Sequence, residues 1–276
     1  MTDAEFKTFG SHKAGTYKMR PFCDSAMKSM LSEFYIRLTG NAPKMYRPIG
    51  SYKNIISPVA HLMLDGREDT YWQSGQRQKK GHWIGLDLCT VQPVSEVYIR
   101  QGRNDVDDSD FYDNAIVEAS ADGMTWTALT EPLVNRYVIS WKGEPVNARY
   151  VRLRRLDSKR KNDVSIRNFE VNPVRPESLS FRIESAEPEL TARIFDGNPS
   201  STYTLAGSRV TFGRPTASDT LTLLMGKKPD ITVEQLDADG SVIATEKSES
   251  PFLRISLQPE TAGIRLSGTA TIHEVL

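Results

Sequence analysis

Several residues have the types that recognition of a sugar would need. Phe111 and Tyr112 stand between Asp110 and Asp113, in the segment that follows "VYIRQGRND". An aromatic face can lie against the apolar side of a pyranose, while planar polar groups beside it reach the hydroxyls. Arg77, Arg103 and Asn104 are candidate hydroxyl partners, and Trp141, in the turn-rich "VISWKGEP", is a candidate platform. A plainer reading has Phe111 and Tyr112 covering a sheet edge, and the residue types leave both open. No catalytic set can be assigned. His12, His61, His82 and His273 lack metal-ligand spacing, and there is neither a GxSxG elbow nor a phosphate-binding glycine loop. Any two carboxylates could converge as a glycosidase pair, and nothing in the order of residues singles one out. The acidic run "NDVDDSD" lacks the glycine and closing glutamate of an EF-hand loop and reads as solvated.

The chain of 276 residues holds 35 Lys plus Arg against 35 Asp plus Glu, so a net charge of zero argues against steering toward nucleic acid. The basic run "RLRRLDSKRKND" suggests a polyanion site, a nucleic-acid or heparin patch, but at zero net charge a solvated surface is the expected reading. Val151 and Leu153 alternate with Arg152 and Arg154 as a strand does, and the rest reads as a charged, solvated hairpin tip. A content of 38% hydrophobic and 25% charged residues is that of a globular protein. No apolar run approaches the roughly 20 residues that span a bilayer, so no membrane partner is expected. The opening "MTDAEFKTFGSHKAG" has no signal-peptide core. Cys23 and Cys89 make no disulfide framework and read as small hydrophobes.

The elements that must position these residues are of two kinds. Over residues 1–45, Cys23, Met27, Met30, Leu31, Phe34 and Leu38 recur at helical spacing, and Gly40-Asn41 supplies a stop. That wide apolar face predicts a helical segment that ends an upstream helical region. After about Tyr46, short β-branched runs take over, among them "WIGLDL", "SEVYIRQG", "NAIVEAS", "RYVRLRRL", "TLTLLMG" and "ITVEQLD". Turn signals such as Asp122-Gly123 and Asp239-Gly240 separate them, which predicts antiparallel β-sandwiches. Trp72, Trp83 and Trp126, in or beside such runs, are expected in a core. The stretch "NPVRPES" is the candidate linker, dividing residues 46–175 from residues 176–276.

The two halves run in parallel across that linker. "LDGREDTYWQSG" faces "FDGNPSSTYTLAG", "IVEASADGMTW" faces "TVEQLDADGSVI", and "SIRNFEV" faces "ATIHEVL". The fold class expected is therefore mainly β: two tandem antiparallel sandwiches, the second shorter and degenerate, after a short helical segment.

"DGREDTYW", "GHWIGLDL", "ASADGMTW", "NARYVRLRRL" and "RNFEV" together resemble the discoidin family, the factor V/VIII C-type domains, which includes the family 32 carbohydrate-binding modules. The resemblance covers roughly residues 50–173, and it implies a discoidin-like jelly roll. It also implies a structural Ca2+ near Asp65, Thr70 and Glu170, although Arg67 stands where the family often has a second acid. Asp196, Asn198, Ser201 and Glu274 present a similar set in the second half. With the helical segment ahead of it, the arrangement resembles the C-terminal region of secreted bacterial family 84 glycoside hydrolases, the β-N-acetylglucosaminidases often labelled hyaluronidases. The implied function is a non-catalytic, carbohydrate-binding accessory region, extracellular, for galactose- or N-acetylhexosamine-type glycans. Its partners would be the parent's catalytic and helical domains. A structural spacer or protein-interaction module is the alternative. Phospholipid binding ranks last, because the loops "QSGQRQKKGH" and "RNDVDDSD" are polar.

Overall fold

The computed structural model describes residues 46–199, 201–215 and 219–276. The helical segment expected over residues 1–45, with Cys23, lies outside the described residues. Tertiary contacts divide the chain into two units: one ends at Arg175, and the other includes Pro176–Leu276. Both are built of antiparallel strands, and the chain is mainly β. Among the described residues no helix is long and apolar enough to cross a membrane.

The first unit contains β1 (Arg47–Gly50), β2 (Trp72–Gln73), β3 (Trp83–Gln101), β4 (Asn114–Ser120), β5 (Thr127–Ala128), β6 (Leu133–Val134), β7 (Val138–Arg155) and β8 (Ser165–Val171). Two of these are far longer than an ordinary strand, because β3 and β7 each pass through both layers of the sandwich. The early part of β3 pairs with β1 and with residues 150–154 of β7, whose other neighbour is β4. The late part pairs with residues 138–142 of β7 and with β8, and β8 carries β2 on its far edge. The register of β3 shifts between Asp87 and Gln92, where Cys89 adopts a φ of 68° and its N–H donates to the Asp87 carboxylate at 2.8 Å. A bulge of this kind bends the strand from one layer into the other.

Alternation along the strands, reset in β8 where the register against β3 shifts between Asn168 and Ile166, turns Ile84, Leu86, Leu153, Ile99, Ile166 and Phe169 into the space between the layers, and Trp72 is fully buried with them. Each such side chain contributes about 1.5–3 kcal/mol on leaving water. Trp83 and Trp126 do not join this core. Both are half-buried on the outer face, where the Arg152 guanidinium lies 3.6 Å from the Trp126 ring centre and 5.7 Å from that of Trp83. Trp83 precedes Ile84 and so points away from the core by strand alternation. An arginine fixed by Glu118 at 2.7 Å gives its ring a partner there.

The second unit contains β9 (Ile183–Glu184), α1 (Pro188–Thr191), β10 (Tyr203–Gly213), β11 (Thr220–Met225), β12 (Asp230–Leu236), β13 (Val242–Ser248), β14 (Phe252–Ser256) and β15 (Gly263–Val275). Its pairings correspond to those of the first unit. β9 pairs with β10 as β1 pairs with β3, and β12 lies between β13 and β15 as β4 lies between β5 and β7. β11 pairs with β14 and β15 as late β3 pairs with β7 and β8. Here β10 and β15 are the long strands, and their mutual register shifts between Ala206 and Arg209. Gly268 of β15 has a φ of 111°, and a Cβ there would run into the Asp230 carbonyl. Only glycine fits both conditions.

Candidate functional site

Three loops of the first unit are locked together: residues 74–82 between β2 and β3, residues 102–113 between β3 and β4, and residues 156–164 between β7 and β8. Backbone N–H groups do most of the locking. Ser74 donates to Val164 O at 2.8 Å, Gln78 to Asn162 O at 3.0 Å, and Ser165 to Asp110 O at 2.7 Å. The buried Gln78 side chain then spans the other two loops, reaching Phe111 O at 3.1 Å and Asp163 O at 3.2 Å.

Arg103 is the charged centre of this cluster. Its guanidinium donates to Asp108 at 3.0 and 3.2 Å and lies 3.8 Å from Asp110, which also accepts from Gln73 Nε2 at 2.8 Å. The Asp108 side chain is wholly buried. Burial alone would raise its pKa, but the Arg103 guanidinium and the backbone N–H groups of Arg103 and Asp110 outweigh that and bring it down to about 2. Tyr71, 38% exposed, lies within electrostatic range of Arg103. Asn104 is exposed; its carbonyl oxygen caps the turn by accepting from Val106 N at 2.9 Å and Asp107 N at 3.1 Å. Arg77 is exposed on the first loop.

The aromatic residues singled out in the sequence fall elsewhere. Tyr112 is 1% exposed, and its hydroxyl shares a 2.8 Å hydrogen bond with that of Tyr52, whose pKa burial pushes up to about 12. Phe111 is 3% exposed, 4.4 Å from the Tyr137 ring on one side and under the Arg160 guanidinium at 4.6 Å. Neither presents a face to a ligand. Trp141 pairs with Val97 in mid-strand, four residues before Gln101 and so roughly 13 Å from the Arg103 loop. It packs on the core edge. Two other aromatic groups approach the loops: Tyr137, half-buried, donates its hydroxyl to Asp108 O at 2.7 Å, and Tyr71 is exposed. The signal for Tyr71 is in "DGREDTYW": with Trp72 turned inward on an extended segment, Tyr71 must turn outward.

The two Asp-Gly loops share a local design. Asp65 accepts from Arg67 N at 2.9 Å and from the Thr70 hydroxyl at 2.9 Å; Asp196 accepts from Asn198 N at 2.7 Å and from the Ser201 hydroxyl at 2.7 Å. Gly66 and Gly197 follow with φ values of 77° and 73°. In the second unit Glu274 comes to the loop and accepts from Gly197 N at 3.2 Å. In the first, Glu170 lies on β8 opposite Tyr98 and accepts from Asn168 Nδ2. Burial raises the Asp65 pKa, partly offset by the Arg67 N–H and Thr70. The Arg67 guanidinium is turned to Asp69, at 2.6 Å. Among the described residues no three His, Cys, Asp or Glu side chains cluster as a metal site.

Residues 50–169 match the model of the F5/8 type C domain, a span that lies within the first unit. No curated protein matches the chain. Among solved structures, the Clostridium perfringens module CpGH89CBM32-5, in complex with GalNAc-β-1,3-galactose, is 14% identical with a TM-score of 0.37, over 46% of this chain and 94% of that one. The family 32 module of C. perfringens NanJ, in complex with galactose, is 15% identical with a TM-score of 0.37, over 46% and 92%. Chitosan-binding module 1 of a Paenibacillus chitosanase/glucanase is 20% identical with a TM-score of 0.37, over 45% and 92%.

Proposed function

We propose that the first unit is a non-catalytic glycan-binding module, with its site at the loop cluster around Tyr71, Arg103 and Asp110. The observation that carries this reading is a guanidinium fixed by two carboxylates at an exposed loop, with an exposed tyrosine in its electrostatic range. Such a group is pre-organised to meet ring hydroxyls while the tyrosine face takes the apolar side of the pyranose. The F5/8 type C match of residues 50–169 supports it. The ligand class is a galactose- or N-acetylhexosamine-terminated glycan, and the setting is an accessory region of a secreted glycoside hydrolase of the β-N-acetylglucosaminidase type. The module would hold that enzyme near its substrate by raising local concentration. A shallow site with one aromatic face binds weakly, with a Kd of roughly 0.1–10 mM, or about −5.5 to −2.7 kcal/mol. Titration of the 276-residue chain with galactose, N-acetylgalactosamine and N-acetylglucosamine, followed by NMR, tests this. Shifts at Tyr71 and Arg103 are expected. Silence at tens of millimolar would leave the spacer reading in its place.

The second unit is proposed as a shorter copy of the first, on the correspondence of its ladder and its Asp-Gly loop. A spacer role suits this copy, because Thr202 stands where the first has Tyr71. A structural Ca2+ is proposed at Asp65, Thr70 and Glu170. These residues offer hard oxygen donors, and a carboxyl destabilised as an anion by burial gains most from a cation. Added Ca2+ at 100 times its Kd would raise stability by about 2.7 kcal/mol, and chelator would reverse the gain. An unchanged Tm in both conditions rules the ion out.

A further inference from the structure

We propose that a basic surface beside the glycan site, made by residues 77–80 and 158–161, takes the acidic groups of a uronate- or sulfate-bearing polysaccharide. The inference rests on the glycan reading above and narrows its ligand to an anionic polymer. In a chain of zero net charge, the stretches "RQKKGH" (77–82) and "RLDSKRKND" (155–163) hold seven Lys and Arg against two Asp. The fold lays them side by side. Gln78 N donates to Asn162 O at 3.0 Å, Gly81 N donates to Arg155 O at 3.1 Å, and Lys80 lies 3.5 Å from Asp157.

Few of these cations are neutralised. Lys80 meets Asp157, and Arg160 meets Asp113 at 3.5 Å. Arg77, Lys79, Lys159 and Lys161 are exposed and pair with no carboxylate among the described residues. Like charges crowded in this way repel, and a polyanion relieves the repulsion. Beneath them is an independent sign. Arg155 is 3% exposed and has no carboxylate partner among the described residues. It donates instead to the carbonyls of Ser158 at 2.9 Å and Arg160 at 2.6 Å. Its Nε is buried without an acceptor. A buried guanidinium without a counter-ion is costly, so packing alone does not account for it. Here it fixes the loop that displays Lys159 and Lys161 and adds its charge to theirs.

The chemistry around the surface selects the polymer. Asn162 reaches Ser109 at 3.1 Å, which joins the surface to the Arg103 loop, so one chain of sugars could lie across both. Residues 77–81 and 157–161 include no aromatic side chain on which a base could stack, and no aliphatic side chain that could enter a bilayer.

The test is affinity electrophoresis of the 276-residue chain in gels containing heparin, unsulfated chondroitin or neutral galactan, with galactose titration in parallel. Retention by heparin and chondroitin well beyond that by galactan is expected, with the acidic excess loosening about tenfold between 50 and 300 mM salt as screening shortens the reach of the charges. A Lys159→Ala/Lys161→Ala variant should lose about tenfold in acidic binding, as expected when two charges leave an electrostatic surface, and keep its galactose response. Retention by heparin alone assigns the surface to sulfate, and equal retention by chondroitin assigns it to uronate. Galactose binding without retention by either acidic polymer beyond that by galactan overturns this inference alone. Silence toward every sugar overturns both it and the glycan reading. Displacement by duplex DNA as effective as by heparin would replace the polysaccharide with a nucleic acid.

Discussion

Tyr71 and Trp72 are adjacent and do opposite work, one at the loop surface and the other in the core. Tyr71→Ala should therefore abolish sugar binding and leave the Tm unchanged, which calorimetry reads directly. Trp72→Ala removes a fully buried indole and should cost about 3–5 kcal/mol in denaturant unfolding. Trp126→Ala loses a half-exposed ring and a cation–π contact, at about 0.5–1 kcal/mol. Asp108 adds a pH dependence. Its carboxyl is held at about 2, below the ordinary 3.8, against the cost of its burial. A depressed acid contributes its stability above its unfolded pKa and loses it as pH falls through the folded one. The Arg103 clamp should thus be intact at pH 4 and lost toward pH 2, followed by the amide signal of Arg103. Of the site, Arg77, Arg103 and Asn104 were legible as loop residues. For Phe111 and Tyr112 the residue types leave a ligand face and a buried cover both open, and burial at 3% and 1% exposure excludes the ligand face. Asp108 and Asp110 are themselves buried, and no local pattern announces the arginine that makes this tolerable.

The sequence shows many short runs, and runs such as "WIGLDL" and "SEVYIRQG" do lie in strands, though both in the same one, β3. What the pattern hides is continuity. The stretches "CTVQP" in β3 and "KGEPV" in β7 carry turn signals, yet each is a bend inside one strand. The turn-rich look of the segment around Trp141 has this origin, and Trp141 itself lies in mid-strand. The bend chemistry of the second unit is sharper, since Gly268 sits at a φ that only glycine tolerates. Gly268→Ala should cost about 1–3 kcal/mol through backbone strain, with the Asp230 contact adding to it. Thermal unfolding of the variant against Ala206→Gly, in the facing strand, would separate strain from a general effect of composition.

Among the described residues each unit's strands form one hydrogen-bonded sheet, eight strands in the first and seven in the second. Residues 44–175 expressed alone should unfold in a single transition, because the Tyr52–Tyr112 bond and the Arg175–Glu96 pair at 3.0 Å close within them. The recurrence of the Asp-Gly segments is visible along the chain; the meeting of residues 77–81 with 155–162 is not, since nothing in either stretch specifies the other. A sandwich of two separate sheets can hinge apart with every ladder intact. A strip creased at β3 and β7 cannot, because parting its faces tears the strands that belong to both. Amide protons on either side of the crease should therefore exchange with solvent at one common free energy, that of the whole unit coming undone.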